Sequence, residues 1–191
     1  LSLKLKDSNQ AIVVEAEGGI RASLKLFEKS SDKEWKVKAN FPAVIGLKGF
    51  AGPGEKVEGD KKTPSGIFGF ITAWGYAEKT DTKMPYRQVT EEDKLIDDVD
   101  SEQYNTWIHG HTKAKSFEKM KRKDGLYEFG LVTDYNSNPV VKSKGSAIFL
   151  HVWRAADKGT AGCVAVSRSD ILAIFKWLDP AKNPKIIVNS I

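Results

Sequence analysis

Cys163 is the only cysteine in this 191-residue chain, and His151, shortly before it, is one of only three histidines. A thiol and an imidazole that reach each other make a nucleophile and its base. A free thiol has a pKa near ~8.5 and is mostly protonated at neutral pH, and pairing with imidazole raises its thiolate fraction. The stretch from Arg154 to Thr160 is long enough to bring the chain back, so that Cys163 returns to His151. Gly162 carries no side chain, which permits a tight turn and leaves amide N–H groups open to a substrate oxygen. The same residues fit a second reading: a cysteine before Val-Ala-Val as a small buried hydrophobe, and His151 as a satisfied core histidine. Residue type and spacing leave both open.

Three other constellations invite chemistry and carry less. His109-Gly110-His111 puts two imidazoles within reach of one metal, but a catalytic zinc takes a third protein ligand and no paired His or Cys elsewhere supplies it. A polar surface loop is expected there, with no metal. Asp97, Asp98 and Asp100 form an acidic cluster whose spacing fits no EF-hand. The glycine-dense stretch Gly49 to Gly69 resembles a phosphate loop but lacks Gly-Lys-Ser/Thr, since Lys56 is followed by Val57, which excludes a Walker motif. No cofactor is implied.

The elements that must position these groups read as a chain dominated by strands. Ser146 to Trp153 is an apolar, aromatic-rich strand that delivers His151 near its end. Before it, Ala11 to Ala16 and Ala22 to Glu28 alternate as strands around a Gly18-Gly19 turn, and Trp35 to Ala39 and Ala43 to Gly46 extend the sheet. Ile67 to Trp74 and Leu126 to Tyr135 read as further strands, and Lys185 to Ile191 as the last. Two helices are expected. Ala114 to Lys123 sets Phe117 and Met120 on one face against lysines. After Cys163, Ser167 to Asp170 offers caps for a helix with an Ile171, Leu172, Ile174, Phe175 and Leu178 stripe that stops at Pro180. Residues 1–10 read as a polar arm, and 11–191 as one domain.

The segment His151, Thr160, Gly162, Cys163 resembles the signature of the L,D-transpeptidase catalytic domain, the YkuD-like family. A second match lies far from it, at Glu58-Gly59-Asp60 followed by Lys61 or Lys62 and Thr63-Pro64-Ser65-Gly66-Ile67-Phe68. Asp-Asp and Tyr104-Asn105 before the histidine strand follow one subgroup of the family. The resemblance implies an α+β fold, mainly β: a mixed β-sheet sandwich or barrel with a helix packed after the cysteine. It further implies a peptidoglycan-modifying cysteine acyltransferase acting on diaminopimelate-containing stem peptides through a Cys163 thioester. An L,D-carboxypeptidase or hydrolase using the same site is the alternative; a zinc peptidase and a noncatalytic cell-wall binding domain are other classes.

By that resemblance Cys163 and His151 are catalytic, Gly162, Val152 and Thr160 serve the oxyanion and the imidazole's orientation, and Arg154, Tyr104 and Asn105 are candidates for substrate binding. Two positions depart from the pattern: the commoner Ser-His-Gly-Cys reads Thr-Ala-Gly-Cys here, with Ala161 for the histidine, and Ala165 stands where Arg or Asn is usual. These mark a divergent subgroup.

Whole-chain properties bound the rest. Net charge is +5 with a pI of about 9.1, and the one basic cluster, Lys119, Lys121, Arg122 and Lys123, is too sparse for a nucleic-acid arm. No stretch approaches the ~20 apolar residues of a spanning helix. One cysteine excludes an intramolecular disulfide. The chain opens at Leu1 without an export signal, and the family resemblance implies that one has been removed and that the domain works in the periplasm or cell wall.

Overall fold

Period-two apolar alternation builds the first hairpin. Strands β1 (Gln10–Gly18) and β2 (Arg21–Lys29) pair antiparallel, with Val14 opposite Leu24. Their turn uses Gly18 and Gly19 at φ of 117° and 59°, backbone that side chains rarely adopt. This is a computed structural model, and it describes residues 5–189. β3 (Trp35–Val44) continues the meander as one strand, so the two short strands expected over it are joined.

Two short strands, β4 (Phe50–Ala51) and β5 (Thr63–Pro64), pair in parallel beside the glycine-rich loop. The run expected as one strand from Ile67 is two, β6 (Gly66–Phe68) and β7 (Phe70–Gly75). The break falls at Gly69, whose N–H donates to Asp134 Oδ1 at 2.7 Å, and the two pieces then pair with different partners. β8 (Tyr86–Gln88), β9 (Asp93–Ile96), β10 (Trp107–His109), β11 (Phe117–Lys119) and β12 (Phe129–Thr133) follow. β13 (Phe149–Val152), β14 (Val164–Val166), helix α1 (Arg168–Trp177) and β15 (Lys185–Val188) complete the chain.

The helix expected over Ala114 to Lys123 is absent. In its place β11 pairs antiparallel with β9, Glu118 opposite Leu95, in a three-stranded sheet ordered β10-β9-β11. A ten-residue lysine-rich helix is marginal by itself. Pairing on β9 instead buries Met120 completely among Trp74 and Leu95, with the Met120 N–H bonded to Asp93 O at 3.0 Å.

The main sheet has ten strands in the order β6-β15-β1-β2-β3-β14-β13-β12-β7-β8, with parallel and antiparallel pairs mixed. Residues from distant strands of that order, Ile12, Ile186, Leu131 and Ala73, share one apolar core with Ile171, Ile174 and Phe175 of α1. The fold is therefore mainly β, a mixed sandwich with the helix packed after Cys163. Ser167 caps α1 by accepting the Asp170 N–H, as its sequence suggests.

The segment read as a polar arm is described from Leu5 onward, and from there it packs. Leu5 is buried with Ala11, Val13 and Ile187, and the Gln10 amide donates to Trp177 O at 2.8 Å while accepting the Asp179 N–H at 2.8 Å. Two hydrogen bonds to the helix exit hold this otherwise polar stretch on the sheet. Residues 1–4 of the arm and 190–191 of the last expected strand lie outside the described residues.

Candidate active site

β13 and β14 are neighbours in the sheet and run parallel, with Leu150 opposite Val164 and His151 opposite Ala165. The loop between them thus leaves the end of one strand and returns to the start of the next, and Cys163 comes back beside β13. Its thiol donates to Ala147 O at 3.1 Å and accepts the Phe149 N–H at 3.3 Å. Cys163 and His151 line one cavity of about 700 Å3, which the Lys56–Gly59 loop, Glu118, Tyr127 and Arg154 also border.

The loop is held from beneath by both sequence motifs. Thr160 Oγ1 donates to Cys163 O at 2.7 Å and accepts the Gly162 N–H at 3.1 Å. From the other motif, Thr63 Oγ1 donates to the same carbonyl at 3.2 Å and accepts the Gly46 N–H at 2.8 Å. Two stretches 100 residues apart therefore meet on one carbonyl oxygen. Gly162 sits at φ 155°, which favours glycine, and a Cβ there would stand a tight 3.1 Å from Lys62 O.

The imidazole is oriented by the main chain. His151 Nδ1 lies 2.8 Å from Val152 O and 3.1 Å from Leu126 O. Carbonyls only accept, so Nδ1 carries the proton and Nε2 keeps its lone pair. The Tyr127 ring packs edge-on against the imidazole, with centroids 5.2 Å apart. Burial lowers the His151 pKa to about 4, against the raising pull of the two carbonyls. Burial pushes the Cys163 thiol up to about 12, Glu118 adds to this, and the Phe149 N–H and Lys56 oppose it. At rest the pair is a neutral thiol and a neutral imidazole.

Lys56 and Tyr127 at the cavity escape sequence reasoning, whereas Asp60 belongs to the second motif. Lys56 is 3% exposed, and its ammonium is bonded to Asp60 Oδ1 and, at 3.0 Å, to Val57 O. Asp60 also accepts the Val57 and Lys62 N–H groups, and with burial working against them these donors lower its pKa. Tyr127 donates to the half-buried Glu118 carboxylate, whose pKa burial raises. A lysine and an aspartate four apart in a glycine-rich loop, and a glutamate on a short strand, carry no periodic signal that would point them inward.

The expected substrate-binding residues separate. Arg154 borders the cavity with an exposed side chain, 3.5 Å from Asp124. Tyr104 is only 2% exposed; its hydroxyl donates to Glu58 and accepts the Gly145 N–H. Asn105 donates to Asn136 O at 2.8 Å and accepts the Ala147 N–H at 3.1 Å. Both are spent on ordering the wall behind the cavity. Asp98 orders a loop in the same way, accepting the Lys115 N–H at 2.7 Å. His109 and His111 are exposed and outside the cavity, His109 3.6 Å from Asp93.

A family model described as the L,D-transpeptidase catalytic domain, YkuD, matches residues 23–188. No curated protein sequence matches the chain significantly. Among solved structures, that of Mycobacterium tuberculosis L,D-transpeptidase 1 is similar at 11% identity and a TM-score of 0.44. The match covers 96% of this chain and 60% of that one.

Proposed function

The chain belongs to the L,D-transpeptidase catalytic-domain family, and from that premise we propose that it is a cysteine acyltransferase acting on peptidoglycan stem peptides outside the cytoplasmic membrane. The observation that carries the reading is the convergence of Cys163 and a correctly oriented His151 on one cavity. No helix among the described residues is long and apolar enough to cross a membrane.

In this mechanism the Cys163 thiol gives its proton to His151 Nε2 as Sγ attacks the carbonyl carbon that follows the L-configured centre of diaminopimelate. Because the resting groups are both neutral, proton transfer waits for that carbon. The carbonyl π pair moves onto oxygen, and backbone N–H groups around Cys163 stabilise the charge. The oxyanion then collapses, the C–N bond breaks, and the leaving D-amino acid takes the proton from imidazolium. The resulting thioester is resolved by an amine of a second stem, giving a cross-link, or by water, giving trimming.

The test is incubation with purified muropeptides followed by mass spectrometry, for the intact protein and for Cys163→Ala. Loss of turnover in the variant is expected, and the products separate cross-linking from trimming. Unchanged turnover by Cys163→Ala refutes the mechanism. A β-lactam of the carbapenem class should also add covalently to the intact protein and not to the variant.

A further inference from the structure

The cavity that Cys163 borders is lined by groups of both signs. His151 and Tyr127 line it, together with Glu118, Asp97 and Arg122 from the segments of the three-stranded sheet and Lys56 and Glu58 from the glycine-rich loop. Burial works against the thiolate, and Glu118 adds to that cost. The Gly162 N–H, a backbone donor that the sequence offered for negative charge, is taken by Thr160 Oγ1 at 3.1 Å. The motif's usual polar side chain two residues after the cysteine is here Ala165, fully buried and paired with His151. Beyond the imidazolium that forms at His151, a fixed cation near Cys163 would favour the negative charge that develops there.

Lys56 is placed for this. Its Nζ stands 3.6 Å from where a Cβ on Gly162 would be, beside the reacting residue. The ammonium is fixed: its side chain is 4% exposed, Asp60 grips it, and Asp60 is itself fixed by the Val57 and Lys62 N–H groups. A lysine carries three N–H donors, and Asp60 and the Val57 carbonyl use two. An ion pair buried at this depth is costly to keep for stability alone, since apolar residues of the same volume often do as well or better.

We propose that Lys56, clamped by Asp60, is a positioning residue for the acyl-transfer site, a fixed positive charge that favours the thiolate of Cys163 over its thiol. It neither gives nor takes a proton. The Sγ proton still goes to His151 Nε2, and the ammonium acts through the field at sulfur. The inference rests on reading Cys163 as the reacting group, and it extends that reading to a residue outside both sequence motifs' reactive positions.

Alkylation by iodoacetamide tests it without any substrate, so its outcome is separate from that of the muropeptide assay. The reagent is neutral and Cys163 is the only thiol, so the rate against pH reads the thiolate fraction directly. Lys56→Met is expected to slow alkylation by about tenfold across the pH range below the midpoint, a shift of roughly one pH unit. Lys56→Arg, which keeps the charge, should stay near the intact protein. Glu118→Gln should move the rate the opposite way, because it removes a negative charge near the same sulfur. Should Lys56→Met fail to fold, Lys56→Gln carries the same expectation. Alkylation profiles unchanged by loss of the charge overturn the proposal. An equal slowing in Lys56→Arg and the uncharged variant also overturns it, because packing and not charge would then be responsible.

Discussion

Lowering the pH from 7 to 4 should unfold this protein partly through His151, and the size of that effect follows from the site. The imidazole is buried, its Nδ1–H is committed to Val152 O, and its pKa falls from 6.5 to about 4. Folded-state pKa is therefore below the unfolded value, for a group whose charged form is the protonated one. Above pH 6.5 both states hold a neutral ring and the group contributes nothing pH-dependent. As pH falls below that value the unfolded chain takes a proton that the folded one refuses, and stability is lost until the folded ring also titrates near pH 4. The loss is about 2 kcal/mol between pH 7 and 5, and about 3 kcal/mol by pH 4, at 1.36 kcal/mol per unit.

The assay is urea unfolding at four pH values from 7.5 to about 4, for the intact protein and for His151→Gln. The amide cannot titrate. Acid-sensitive carboxylates such as Asp93 act in both proteins and cancel in the difference, so only the histidine term remains. The variant should start less stable, because a buried hydrogen-bonded ring is lost, and the gap should close by about 3 kcal/mol on acidification. Parallel curves would mean that His151 titrates as it does in water, and the account of a buried, neutral, Nδ1-protonated base would be refuted.

Three further outcomes follow from particular contacts. Asn105→Ala should lower thermal stability by about 1–3 kcal/mol and also speed Cys163 alkylation, because Asn105 holds the Ala147 N–H, and Ala147 at φ 53° presents the carbonyl that accepts the S–H and so favours the neutral thiol; stability loss with unchanged reactivity would refute that chain of contacts. Gly130→Ala should destabilise by about 1–3 kcal/mol in a melting experiment, since its Cβ would collide with the Trp74 ring, which Tyr127 O fixes through the indole N–H at 3.0 Å. Asp93→Asn should cost about 3 kcal/mol and loosen amide-exchange protection in the β9–β11 sheet, because the buried carboxylate, lowered to about 2 against the cost of its burial, accepts from Trp107, Thr90 and Arg87. Its contribution is present above the unfolded pKa of 3.8 and is lost as pH falls through about 2, so the gap to the variant should narrow only in strong acid.

The parts of this fold that sequence reveals are those whose signal is local. Period-two alternation marks β1 and β2, and a capping serine followed by an apolar stripe marks α1. What it conceals is decided by distant partners. The segment around Phe117 carries a helix-like spacing, yet β9 recruits it as a strand, and no feature of residues 114–123 encodes β9. Gly69 interrupts an apparently continuous strand because a carboxylate from beyond β12 reaches it. At the site, Cys163 and His151 are legible as residue types, and Gly162 as a backbone need. Tyr104 and Asn105 are legible as polar residues near the cleft, but that they order its wall is decided by the assembled fold.

The departures at Ala161 and Ala165 acquire a physical meaning from the same geometry. β14 is three residues long and lies between β13 and β3, with Ala165 opposite both His151 and Val44 and fully buried. An arginine there would have to bring its charge onto a fully buried strand, at a cost of several kcal/mol unless it were paired. Charge at this site instead enters from the loop after β4, where Asp60 holds the Lys56 ammonium in place, and from Arg154 at the solvent-facing rim beside Asp124. One cation is buried and fixed; the other is exposed and movable. On the proposed reading, a substrate carboxylate would meet the exposed cation first, and the buried one would act on the sulfur. Exchange of Arg154 should thus change KM and salt dependence with little effect on Cys163 reactivity, and exchange of Lys56 should do the reverse.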